Sequence, residues 1–102
     1  MAEADVPKID KLNRSNYALW KFNMLNFLTG KGWIRYIDGS AQANEQGFAG
    51  ADAKVKTAIG FLLDQEHLAM VVHCVTAKEM WDTIVTIKER VSHTNKMLAN
   101  VE

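Results

Sequence analysis

The sequence predicts an all-α protein, a small bundle of five or six short helices. Apolar residues recur every three or four positions in several windows, the period of a helix that buries one face. Those windows are separated by polar or glycine-bearing stretches and by residues suited to helix caps. With 48% hydrophobic residues and a single proline, 102 residues suffice for one domain with a modest core.

Residues 1–11, polar and holding Pro7, read as a flexible N-terminal arm, and 12–102 as one helical domain. Asn13 or Ser15 can cap the first helix by accepting a backbone N–H bond. Behind them Tyr17, Trp20, Met24, Phe27 and Leu28 fall on one helical face, with Phe22, Lys21, Asn23 and Asn26 off it. Gly30 and Gly32 supply a stop. "GWIRYIDG" holds at most a turn of helix, anchored by Trp33, Ile34 and Ile37 and ended by Gly39. "SAQANEQGFAGA" reads as a flexible connection whose one large apolar residue is Phe48.

From Asp52 the stripe resumes with Val55, Ala58, Ile59, Leu62 and Leu63, and Gly60 within it suggests close packing. Asp64 suits the cap of a further helix with Leu68, Val71, Val72 and Val75 facing inward. The β-branched run there leaves a strand over 71–75 as the alternative. Thr76 and Glu79 form a capping box ahead of Met80, Trp81, Ile84, Val85 and Lys88. Ser92 or Thr94 opens a last short helix with Met97, Leu98 and Val101 as its stripe, and the domain reads as truncated at its C-terminus.

Chemistry is sparse. Lys plus Arg and Asp plus Glu are each 12, and the cations are scattered, which argues against direct nucleic-acid binding and against helix-turn-helix DNA recognition over 52–90. Cys74 is the one cysteine, so no intrachain disulfide forms, and no metal-ligand spacing joins it to His67, His73 or His93. Adjacent His73 and Cys74 are expected to point in different directions. Cys74 with His67 or His93 is the sole nucleophile–base candidate, and its flanking valines favour a buried thiol. Asp64 with Glu66 reads as a helix start, not an acid–base pair. "GKG" at 30–32 follows a helix, not the strand of a phosphate loop. No apolar run reaches the roughly 20 residues of a membrane span, and "MAEADVPKID" lacks a signal-peptide core. The expectation is a cytoplasmic protein without catalytic residues, cofactor or metal.

The aromatics decide the remaining question. Trp20 and Trp81 sit mid-stripe, where such rings serve a core more readily than a ligand cage. The expected packing set is Tyr17, Trp20, Met24, Leu28, Trp33, Ile37, Ile59, Leu62, Val71, Trp81 and Ile84.

The order of segments, "KLNRSNYALWKFNMLNFL", "WIRYIDG", "KVKTAIGFLLDQEHLAMV", "TAKEMWDTI" and "HTNKMLANVE", resembles the Gag polypeptide of copia-type LTR retrotransposons. Leu12, Asn16, Tyr17 and Trp20 match that family's Leu-x-Gly-x-Asn-Tyr-x-x-Trp opening. Thr76, Ala77, Glu79 and Trp81 match its Thr-Ala-x-Glu-x-Trp segment. Arg14 replaces the family glycine, the 40–51 link is longer than usual, and the family's zinc knuckle and downstream enzymes are absent from this sequence. The resemblance implies a capsid N-terminal-type domain that self-associates, or associates with other Gag chains, into virus-like particle shells. The alternative it implies is a domesticated host-gene adaptor that binds a partner protein, with a groove beside Trp33 and Phe48 as the candidate contact.

Overall fold

The computed structural model describes residues 8–101, with side chains described for 8–90. Five helices follow in order: α1 (Tyr17–Lys31), α2 (Arg35–Asp38), α3 (Phe48–Phe61), α4 (Gln65–Val71) and α5 (Ala77–Val101). The all-α reading holds. Among the described residues the extended structure is one isolated parallel bridge, Leu12 with Leu63, so the strand alternative for 71–75 is not adopted. None of the described helices is long and apolar enough to cross a membrane.

α1 begins one residue beyond the expected caps. Asn16 occupies the cap position without a side-chain bond to the helix. Its amide instead accepts from Asn13 N–H and donates to the Lys11 carbonyl, while Asn13 Oδ1 accepts from Ser15. These local asparagine bonds shape the turn before the helix, in place of a conventional cap. The helix ends where Gly32 adopts φ 75°, a left-handed conformation that a Cβ disfavours, and its N–H returns to Thr29 O. Ile9, assigned to the loose arm, packs on the core, and Leu12 is wholly buried. Residues 1–7 of that arm lie outside the described residues.

α3 begins earlier than expected. Gly47, at φ 79°, turns the chain so that helix starts at Phe48, and Ala49 and Ala51 carry it into the predicted stripe. The "flexible connection" is therefore helical in its last third. Val55, Ala58, Ile59, Leu62 and Leu63 are all buried, as the period requires. The Cβ that Gly60 lacks would stand 3.8 Å from Leu68 Cδ1, an ordinary contact, so no tight helix crossing occurs there.

α4 corrects the inward assignment made from the valines. Asp64 caps it as expected, accepting the His67 N–H at 2.9 Å. His67, Val71 and Cys74 face the core, whereas Leu68, Val72 and Val75 are exposed. Helix leaves off at Val71, so the positions beyond it no longer follow a helical period.

α5 packs against α2, α3 and α4. Thr76 Oγ1 accepts the Glu79 N–H at 3.1 Å, but the Glu79 carboxylate accepts from Val75, one residue before the partner a standard capping box uses. The separate last helix is a second correction: α5 runs without a break through Ser92 and Thr94 to Val101. The stretch after Arg90 contains neither glycine nor proline, and caps alone do not interrupt a helix already propagating. The Met97, Leu98 and Val101 stripe lies beyond the described side chains.

Candidate functional site

The core forms where the helices that carry Trp20 and Trp81 meet. Trp20 of α1 and Trp81 of α5 stack with ring centroids 5.7 Å apart at 21°. Trp20 Nε1 donates to the Leu62 carbonyl at 2.8 Å, and the same carbonyl accepts the Leu12 N–H at 2.8 Å. One acceptor thus joins the N-terminal segment, α1 and the end of α3, and satisfies the buried indole. Around the pair, Met24, Leu28, Ile37, Ile59, Leu62, Val71 and Ile84 are buried, while Tyr17 and Trp33 pack half-buried against them.

Trp33 and Phe48, the expected contact pair, each pack against a different neighbour. Trp33 meets Phe27 edge-on at 5.9 Å and lies under the Lys31 ammonium, whereas Phe48 packs against Tyr36 at 5.7 Å.

Two polar chains tie the bundle, and sequence reading missed both. Buried His67 bonds Asp64 Oδ1 through Nδ1 at 2.7 Å, and its Nε2 lies 3.2 Å from Lys88 Nζ. Lys88 also donates to the Asn13 carbonyl at 3.3 Å. A ring with its proton on Nδ1 accepts from the Lys88 ammonium, so a neutral imidazole satisfies both neighbours. The Asp64 carboxyl is held below its ordinary range, first by the His67 backbone N–H and then by the ring. In the second chain, Glu89 accepts from Tyr17 and from Lys21, each at 2.6 Å. Lys21 and then Tyr17 lower the Glu89 carboxyl, and burial followed by the Glu89 bond raises the Tyr17 phenol. A tyrosine spaced three or four positions from a lysine gives no sign of which distant glutamate will join them.

Cys74 is buried, and among the described residues its sulfur pairs with Thr83 Oγ1 at 3.7 Å and His73 Nε2 at 4.0 Å, not with His67. The expectation that His73 and Cys74 diverge is corrected: the turn after α4 brings their donor atoms together.

With the core closed, several large apolar side chains still face outward. Leu19 and Phe22 are 61% and 62% exposed on the outer face of α1, three positions apart and so on one side of the helix. Phe61, Leu68, Val72 and Val75 are exposed around α4. Comparison of the chain with protein-family profiles, curated proteins and solved structures finds no match.

Proposed function

We propose that this chain is a structural self-assembly module and not an enzyme, of the kind that the capsid N-terminal region of a copia-type retrotransposon Gag contributes to particle shells. The observation that carries the reading is the outward pair Leu19 and Phe22 on α1. On a helix whose inner face already buries Trp20, Met24 and Leu28, two further large apolar side chains at helical spacing stand exposed among the described residues. A second copy of the chain supplies the missing partner surface.

Two further observations support it. The motif tryptophans Trp20 and Trp81 stack on each other, so the segments that carry the resemblance are fold determinants and not ligand contacts. The chain also has no net charge, which removes long-range repulsion between copies packed at high local concentration. Shells grow from small repeated contacts, so each contact is weak in isolation and association is seen only as concentration rises.

Sedimentation velocity on the purified chain across a series from micromolar to millimolar tests this. The weight-average mass is expected to climb with concentration. A strict monomer throughout overturns the reading.

A further inference from the structure

One group of side chains at the edge of the core has a geometry that packing alone does not require. At the turn joining α4 to α5, one donor atom each from His73, Cys74 and Glu79 all lie within 4.8 Å of one another. The Cys74 sulfur and His73 Nε2 are 4.0 Å apart. From this geometry we propose that His73, Cys74 and Glu79 form a binding site for zinc or a comparable borderline-soft divalent ion.

Each donor arrives for an identifiable reason. The Cys74 N–H donates to the Val71 carbonyl at 2.9 Å, which closes the turn and directs the thiol against α5. His73, one residue earlier, is exposed and reaches back over that sulfur. Glu79 stands in the first turn of α5, its Oε1 anchored by the Val75 N–H at 2.9 Å, which leaves Oε2 outside that bond.

The dimensions suit a small ion. Bonds of about 2.3 Å to sulfur and about 2.0–2.2 Å to nitrogen or oxygen, arranged tetrahedrally, set ligand atoms about 3.3–3.6 Å apart. The sulfur and imidazole therefore close by about half an ångström, and no pair by more than about 1.5 Å. His73 and Glu79 are both exposed, so rotation of their side chains supplies this movement without disturbing the backbone.

A thiolate with an imidazole and one carboxylate selects zinc-like ions over magnesium or calcium, which prefer all-oxygen shells. Thr83 Oγ1, 3.7 Å from the sulfur, is placed to donate to the thiolate, and Val75 orients the carboxylate. On binding, the Cys74 S–H releases its proton to solvent as the sulfur–metal bond forms, and His73 ligates through a neutral ring nitrogen. Three protein ligands leave a fourth position for water or an external donor.

The test is calorimetric titration of the reduced chain with zinc, with cobalt(II) as a spectroscopic probe of thiolate ligation. One ion per chain, at micromolar affinity or tighter, and a cobalt–thiolate absorption band are expected. His73→Ala and Cys74→Ser each weaken binding by at least about tenfold. His73 is exposed, so its variant keeps the fold. Glu79→Gln retains an acceptor for Val75 and also weakens binding, which separates ligation from capping. Absence of binding in the wild-type chain overturns the proposal. Zinc binding that persists unchanged in both His73→Ala and Cys74→Ser also overturns it.

Discussion

Asp52 of α3 accepts the backbone N–H of Ala77 at 3.0 Å, so one helix caps the start of another. The first N–H groups of a helix lack intrahelical partners, and Ala77 is fully buried from water. Asp52, itself 6% exposed, supplies the acceptor that solvent cannot, and so fixes where α5 begins against α3. Asp52→Ala leaves this donor unpaired, at a cost of about 1–3 kcal/mol. Asp52→Asn keeps an oxygen in place and is expected to lose less than half as much. Urea unfolding of the two variants checks this. Equal losses would mean that the bond to Ala77 is not what Asp52 contributes.

The stacked tryptophans are not equivalent. Trp20 is 1% exposed and donates to Leu62, whereas Trp81 is 7% exposed. Truncating Trp20 to alanine is expected to cost about 3–5 kcal/mol through the cavity and lost contacts. Trp20→Phe removes the indole bond as well as volume, though the Leu62 carbonyl keeps its bond from Leu12. Trp20→Phe should therefore destabilise more than Trp81→Phe in chemical denaturation. The reverse order would show that the bond to the Leu62 carbonyl does not set the difference.

Much of this fold was legible because helical period and burial coincide in α1, α3 and α5. Trp20, Met24 and Leu28 were placed inward by spacing alone, as were Val55, Ile59, Trp81 and Ile84. The period failed where helices are short. In α4, seven residues long, Asp64 draws His67 inward by bonding both its N–H and its ring, and hydrophobicity would have chosen Leu68. Boundaries failed where a glycine or a cap was ambiguous: Gly47 starts a helix that composition assigned to a link, and Thr94 lies within one it seemed to start. Contacts between elements, such as Asp52 with Ala77 or Tyr17 with Glu89, leave no trace in local spacing. The gathering of His73, Cys74 and Glu79 depends on a turn that the valine run concealed.

The Tyr17–Glu89–Lys21 chain makes stability fall at both ends of the pH range. Glu89 has a folded value below its ordinary 4.5, so its contribution is present above that pH and is lost as pH drops through the folded value. Lys21 and Glu89 are partly exposed, which limits this ion pair to about 0.2–1 kcal/mol. Tyr17 is raised above its ordinary 10.0, because burial and the Glu89 bond favour the neutral phenol. Its contribution is whole below pH 10 and is lost as the pH rises beyond that. Thermal melts against pH should show Tyr17→Phe flattening the alkaline limb. Glu89→Gln should soften the acid limb only in part, since Asp38 and Asp64 are lowered too. Unchanged limbs in both variants would count against the chain as a source of stability.

Association through α1 makes the sharpest demand on the surface. Leu19 and Phe22 are exposed and separated from the core by the helix itself, so Leu19→Asp and Phe22→Asp should alter folding stability by no more than about 0.5 kcal/mol. Burying either side chain against a second copy is worth about 1.5–3 kcal/mol, and a charge there reverses the gain. Each variant should therefore weaken self-association by at least about tenfold, and the double variant should sediment as a monomer where the parent does not. Phe61→Asp, on the face around α4, serves as the comparison. If it alone abolishes association while the α1 variants associate normally, the contact surface lies around α4 and the assignment to Leu19 and Phe22 fails.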